Sequence, residues 1–209
     1  MIKKIIFKFM RGILGIAIIV MLVIVISYNN VYAEVNYVFF FNRHHLSGGV
    51  GNYGNSTQKY WISSDMSGFY YNCAKDAMLD WSNNSAIIDF KITKKRSDSV
   101  VDIYSTSDGK NAGYNAYTVY RKNILIYVNP NENNWKYAQV FYNSDNSLNS
   151  NRDKNRDKII AVFAHEIGHC FGLDENNTNT KSIMCQAGSG RKVTSVQAGD
   201  LKGVYIIYK

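Results

Sequence analysis

The feature that most constrains this chain is an H-E-x-x-H motif formed by His165, Glu166 and His169. Residues four apart lie on one face of a helix, so both imidazoles can reach a single metal ion. The glutamate between them then points near the open coordination position, where a carboxylate can take a proton from water. The motif therefore predicts one catalytic zinc site, with His165 and His169 as ligands and Glu166 as general base.

The residues around the motif favour a helix that begins at about Asp157, a good N-cap, and ends at Gly172. At about 100° per residue, its apolar side chains cluster on one stripe. They are Ile160, Phe163, Ala164, Ile167 and Phe171. His165 and His169 lie on the opposite side, so the pattern predicts a helix that buries one face and presents the histidines on the other.

A third metal ligand is expected just after the helix. Gly172 permits the left-handed turn that reverses the chain, and position 175 is where a ligand can then arrive. No histidine follows His169, and Glu175 is the last glutamate of the chain. Carboxylate oxygen binds zinc well, so Glu175 is the predicted ligand and Asp174 is the alternative.

The N-terminal residues 1–33 have the pattern of an export signal. Four basic residues precede an uncharged run from Gly12 to Ser27, and small residues precede a cut after Ala33. An uncleaved anchor is the alternative, although 16 uncharged residues are short for a bilayer span of about 20. We expect a secreted protein whose residues 34–209 form one catalytic domain.

Composition argues against a nucleic-acid partner. The predicted signal holds four of the 24 Lys and Arg residues and none of the 16 acids, so the remaining 20 basic residues exceed the acids by only four. Nucleic-acid binding needs a concentrated basic face, and no binding motif accompanies these charges. We expect a protein or peptide substrate, contact with a membrane only through the uncleaved signal, and a monomer.

Three cysteines follow the signal, and an odd number allows at most one internal disulfide. Cys170 and Cys185 are either bonded to each other or two small buried residues, whereas Cys73 is expected in the core.

Apolar periodicity and turn residues predict an α+β chain. The first helix is expected over Met66–Trp81 and the last over Val196–Tyr205. Strands are predicted at Val35–Phe41, Lys59–Ile62, Ile87–Thr93, Val100–Ser105, Ala112–Tyr120 and Ile124–Val128, and polar loops at Asn129–Asn134 and Asn143–Asn155.

The run from His165 to Gly172, with Ser182-Ile183-Met184 downstream, resembles the metzincin zinc peptidases, which carry H-E-x-x-H-x-x-G-x-x-H and a Met-turn. Residues 77–82 and 200–205 are similar to the matrixin branch, in its minimal bacterial-type catalytic form. The resemblance implies a twisted, mostly parallel five-stranded sheet with two long helices, an active-site helix, a Met-turn and a C-terminal helix. It also implies that Met184 forms a hydrophobic floor beneath the zinc. The family's usual third ligand is histidine, so Glu175 is a departure.

The resemblance implies a secreted zinc endopeptidase that binds extended peptides along an edge strand, for which Ala112–Tyr120 is the candidate. The loop Gln186–Ser195 is expected to wall the specificity pocket, and its Arg191 and Lys192 favour acidic side chains. Asp98, Asp102, Asp108 and Asp145 are calcium candidates, but no loop pattern assigns a calcium site. Two alternatives stay open: a catalytically impaired binding or adhesion module, and a zinc amidase acting on cell-wall amides.

Overall fold

The computed structural model describes Met21, residues 40–51 and residues 57–209. The predicted export signal therefore lies, except for Met21, outside the described residues, as does most of the predicted strand Val35–Phe41. Phe40 makes an isolated antiparallel bridge to Leu173. Among the described residues, no helix is both long enough and apolar enough to span a membrane.

A five-stranded sheet forms one layer of the fold. Its strands are β1 (Gln58–Ile62), β2 (Phe90–Ile92), β3 (Val101–Thr106), β4 (Ala116–Arg121) and β5 (Tyr137–Asn143), in the order β2-β1-β3-β5-β4. All neighbouring pairs are parallel except β4 and β5, which are antiparallel. The α+β class and the mostly parallel five-stranded sheet are confirmed, and the predicted edge strand is β4.

The interior strand β5 has no counterpart among the predicted elements. Its residues Ala138, Val140 and Tyr142 are fully buried and alternate along one face of the strand. The polar Gln139 and Asn143 lie on the opposite face and are themselves buried. A short run with polar side chains on its second face, set between Asn-rich loops, is hard to distinguish from a loop by its sequence alone.

The strand predicted at Ile124–Val128 is wrong. Only one isolated bridge forms there, between Arg121 and Tyr127, because the Asn123 side chain accepts the N–H groups of Leu125 and Ile126 and folds a tight turn. Leu125 is 83% exposed, so the β-propensity of this apolar segment is not matched by burial.

Within residues 57–209, three α-helices complete the fold. They are α1 (Gly68–Asn83), α2 (Arg156–Phe171) and α3 (Ala198–Tyr208). The boundaries of α2 differ from prediction at the start: Asp157 lies in its first turn, and Asn155 occupies the N-cap. At its other end Gly172 adopts the left-handed conformation, with φ of 108°, as predicted.

Helix α2 is buried on nearly all sides, which differs from the predicted two-faced helix. Its apolar residues pack against α1 and against β4 and β5. Two fully buried tryptophans bond to its backbone: Trp81 Nε1 donates to the Ala164 carbonyl and Trp135 Nε1 to the Cys170 carbonyl. The histidine face is covered as well, because the chain after Gly172 folds back over it. This framework holds the H-E-x-x-H helix rigidly in the core.

Candidate metal centre and active-site cleft

The imidazoles of His165 and His169 converge on one point. Their Nε2 atoms lie 3.1 Å apart, and both rings are more than nine-tenths buried. Nδ1 of His165 is 2.9 Å from the Ile183 carbonyl oxygen, and Nδ1 of His169 is 2.8 Å from that of Leu173. A carbonyl can only accept, so each Nδ1 carries hydrogen and the two rings face each other with their Nε2 atoms. Two facing lone pairs repel unless a proton or a metal cation lies between them.

Glu175 reaches the same point because the chain reverses at Gly172. At this residue the N–H of Gly172 donates to the His169 carbonyl and that of Leu173 to the Gly168 carbonyl, which closes the end of the helix. A Cβ at position 172 would lie 2.9 Å from the His44 carbonyl oxygen. Both the positive φ and this close approach require glycine here.

The Glu175 carboxylate completes a group of three side chains that could hold a metal ion, His165, His169 and Glu175, called the metal group below. Its Oε1 lies 3.4 Å from His165 Nε2 and 3.5 Å from His169 Nε2, and it accepts a 3.0 Å hydrogen bond from the side chain of Gln186. Its Oε2 is buried without a hydrogen-bond partner. In the described parts of the chain, these three form the one group of three or more His, Cys, Asp or Glu residues able to share a metal ion.

The donor set fits zinc. Two imidazole nitrogens and a carboxylate oxygen are ligands of catalytic zinc sites, and tetrahedral zinc with bonds of about 2.0–2.2 Å separates its ligands by roughly 3.3–3.5 Å. The observed separations of 3.1, 3.4 and 3.5 Å are close to these values. The alternative ligand, Asp174, accepts the Glu175 N–H with its Oδ1 instead of joining the group.

The charges of this group are strongly coupled in the metal-free protein. Burial lowers the pKa of His169, but the hydrogen bond that its imidazolium donates to Glu175 and the charges of Glu166 and Glu175 outweigh it and raise the pKa to about 9. Burial raises the pKa of Glu175, but hydrogen bonds and charges from His165 and His169 lower it to about 2. The site thus favours a cation between these donors.

Glu166 lies beside the metal group and is oriented by the edge strand. Thr118 Oγ1 donates a 2.7 Å hydrogen bond to Glu166 Oε2 and lies 3.1 Å from the Glu166 main-chain carbonyl oxygen. Glu166 is only 7% exposed, and it lines the cleft together with His165 and His169.

Met184 lies fully buried against the active-site helix at Gly168. A Cβ at position 168 would lie 2.3 Å from Met184 Sδ and 3.0 Å from the Trp81 ring. Asp200 holds the turn before Met184, since its carboxylate accepts hydrogen bonds from the Ser182 hydroxyl and from the Ile183 N–H. Glycine at 168 therefore lets this turn pack directly under the histidines.

The three cysteines are free and buried, so the Cys170–Cys185 disulfide alternative is not realised. Of the four calcium candidates, Asp98 pairs with Lys59 and Lys95, and Asp102 pairs with Arg96. Asp108 accepts a hydrogen bond from the Thr106 hydroxyl, and Asp145 accepts one from the Gly109 N–H.

The metal group opens into a cleft of about 490 Å³. One wall is the edge strand, from Gly113 to Thr118, and another comes from Gln186, Ala187, Gly188 and Arg191. The loop Gln186–Ser195, predicted to wall the specificity pocket, therefore lines the cleft with residues of its first half and with Arg191. The exposed Lys192 does not line it.

Two residues of the site were not singled out from the sequence for the roles they have here. Thr118 alternates with Ala116 and Tyr120 on one face of β4, but only the packing of β4 on α2 brings it to Glu166. Asp200 belongs to a segment that supports the resemblance, yet nothing in the local pattern indicates that it bonds to residues 182 and 183.

A helix with an H-E-x-x-H motif, a third donor side chain after its terminal glycine and a cleft along an edge strand define a zinc metalloprotease. The family model for matrixin matches residues 64–209, and the chain belongs to the matrixin family.

Three solved structures illustrate the structural similarity. The GM1-bound form of the ECX AB5 holotoxin is 14% identical (81% of this chain, 90% of that chain, TM-score 0.49). Myroilysin is 13% identical (78% and 97%, TM-score 0.48). High choriolytic enzyme 1, a hatching enzyme zinc-protease from Oryzias latipes (Medaka fish), is 14% identical (78% and 94%, TM-score 0.47). A search of curated proteins found no match.

Proposed function

We propose that this matrixin is an exported endopeptidase in which His165, His169 and Glu175 hold zinc and Glu166 transfers the proton. The observation that carries the proposal is the convergence of two tautomerically fixed Nε2 atoms and Glu175 Oε1 on one point, with Glu166 beside it in an open cleft. When bound, zinc supplies Lewis acidity that polarises a peptide carbonyl and makes water more acidic.

Glu166 is the group that moves protons in this scheme. Its carboxylate takes a proton from the attacking water and delivers it to the amine that leaves as the peptide bond breaks. The hydrogen bond from Thr118 occupies Oε2, so Oε1 is the oxygen available to water. A fixed carboxylate loses no orientational entropy at the moment of transfer.

The substrate binds in an extended conformation along β4. In the antiparallel pair, the Asn143 N–H donates to the Asn115 carbonyl, so the odd-numbered residues of β4 direct their backbone groups towards β5. Ala116 and Thr118 then direct their N–H and C=O groups outward along the cleft. Added-strand pairing of this kind binds the main chain of the substrate and depends little on its sequence.

The impaired-module alternative depends on Glu175 failing to act as a ligand. The 3.4 and 3.5 Å approaches of Glu175 Oε1 to the two histidines support a complete site instead. A carboxylate ligand cancels one unit of metal charge, so water at this zinc should be less acidified than with three imidazoles. We therefore expect a more alkaline pH optimum than in a three-histidine relative.

Export rests on the N-terminal sequence pattern. The basic start, the uncharged run and the small residues before Ala33 support cleavage after that residue. N-terminal sequencing of the protein recovered from culture medium should begin at Glu34. Retention of the whole protein in the membrane fraction would favour the uncleaved anchor.

The decisive experiment compares peptide hydrolysis by the zinc-loaded protein with that of Glu166→Gln. Loss of the base should lower kcat/KM by about 10²- to 10⁴-fold and leave zinc stoichiometry at one. The matched control is Glu132→Gln, since Glu132 is an exposed acid that bonds to the Asn129 side chain. Unmodified protein that binds zinc but hydrolyses no peptide would favour the impaired module, and one that hydrolyses only cell-wall amides would favour the amidase.

A further inference from the structure

Arg191 lines the cleft, and it takes part in none of the ion pairs among the described residues. Its Nη1 donates a 3.2 Å hydrogen bond to the Ile183 carbonyl oxygen. A guanidinium has five N–H donors, and no carboxylate oxygen of the described chain lies within 4.0 Å of this one. By contrast, Arg96, Arg152 and Arg156 each pair with an aspartate.

The acids nearest to Arg191 are already engaged. Glu166 accepts from Thr118, Glu175 faces the histidines and Gln186, and Asp200 accepts from residues 182, 183 and 197. Burial lowers the pKa of Arg191 from its usual range, although a guanidinium remains protonated. A half-buried cation with free donors therefore lines the cleft.

Arg191 is also held close to the reacting centre. The Ile183 carbonyl that accepts from Arg191 accepts from Nδ1 of His165 as well. This shared acceptor places the guanidinium beside the ring of a proposed zinc ligand. A substrate side chain that reaches Arg191 must therefore belong to a residue next to the scissile bond.

We propose that Arg191 selects peptides with an aspartate or glutamate directly flanking the bond that is cleaved. The planar guanidinium forms paired hydrogen bonds with a carboxylate, and an acidic side chain would otherwise be repelled by Glu166 and Glu175. This proposal rests on the peptidase function proposed above and names its substrate class.

The test uses a mixed peptide library to locate the preferred cleavage sites by mass spectrometry, followed by matched peptides that differ only in Glu or Gln at the flanking position. A charge-assisted hydrogen bond predicts a kcat/KM ratio of about 10 to 100 in favour of Glu. In Arg191→Met the ratio should fall to 1 or below, since Glu166 and Glu175 then repel the acidic side chain, and Arg191→Glu should prefer Lys at that position. The control Lys192→Met removes the adjacent exposed cation and should keep the ratio.

Two results would overturn the proposal. One is an equal loss of kcat/KM for both peptides in Arg191→Met, which would mean that Arg191 only supports the Ile183 carbonyl. The other is a ratio near 1 in the unmodified enzyme. Calorimetric binding of the same two peptides to zinc-loaded Glu166→Gln gives a second readout. Tighter binding of the Glu peptide there would support the selectivity even if no peptide were hydrolysed, a result that would count against the peptidase function alone.

Discussion

Thr118 on the edge strand donates a 2.7 Å hydrogen bond to the carboxylate of Glu166 on the neighbouring helix. The strand proposed to bind the substrate main chain therefore also orients the proposed general base. Thr118 contacts Glu166 through its hydroxyl while its backbone faces the cleft, so under the proposed function one residue couples substrate binding to the position of the proposed base.

Replacing Thr118 by Val keeps the shape of the side chain and removes this hydrogen bond. We expect kcat to fall roughly 2- to 13-fold, the equivalent of a hydrogen bond of about 0.5–1.5 kcal/mol, with little change in KM. Thr118→Ser retains the hydroxyl and should restore most of kcat. Steady-state kinetics of the unmodified protein and both variants on one peptide measure kcat and KM. A Ser variant as slow as the Val variant would contradict an orienting role for Thr118.

Glu175→Gln should weaken zinc binding by more than about 100-fold, because changes in groups that only orient metal ligands already cost about 10- to 100-fold. Competition with a chelator of known affinity measures the change. Asp174→Asn is the matched control, since an amide oxygen can still accept the Glu175 N–H. Loss of zinc in the Asp174 variant and retention in the Glu175 variant would make Asp174 the ligand.

In the metal-free protein, the contribution of the metal group to stability should be greatest between about pH 4.5 and 6.5. The pKa of His169 rises from its ordinary 6.5 to about 9, so its contribution is complete below 6.5 and is lost as pH rises through about 9. The pKa of Glu175 falls from 4.5 to about 2, so its contribution is complete above 4.5 and is lost as pH falls through about 2.

Urea unfolding of the chelated protein at pH 6 and pH 10 tests this dependence. We expect a lower urea midpoint at pH 10 than at pH 6. The change in midpoint between the two pH values should be smaller in Glu175→Gln, in which the partner charge of His169 is gone. Groups far from Glu175 titrate in the same way in both proteins, so the comparison reports on Glu175 and the groups beside it. An identical pH dependence in the two proteins would show that the pair contributes nothing.

Gly168→Ala should destabilise the fold by about 1–3 kcal/mol, the usual cost of overpacking a core. The new Cβ would lie 2.3 Å from Met184 Sδ, and the fully buried methionine has little room to move. The control is Gly68→Ala in helix α1, where nothing lies within 4 Å of the added carbon. Chemical denaturation of the two variants, both zinc-loaded, should separate them clearly.

Local sequence patterns determined the catalytic helix, its end and the class of chemistry. The H-E-x-x-H spacing, the glycine at 172 and the helical periodicity of the apolar residues all lie within a few turns of one helix. They can therefore be recognised from the local sequence. Four of the six predicted strands overlap the described strands β1 to β4, because their apolar runs are bounded by turn residues.

Tertiary structure alone decided the rest. Strand β5 forms, with the polar Gln139 and Asn143 buried in it, because both neighbouring strands pair with it, whereas Ile124–Val128 makes one isolated bridge to Arg121 and stays exposed. The hydrogen bond from Thr118 to Glu166 and the place of Arg191 beside the Ile183 carbonyl each join residues at least 8 positions apart along the chain. Such contacts depend on how the sheet, helix and loops pack together, and no local periodicity carries that information.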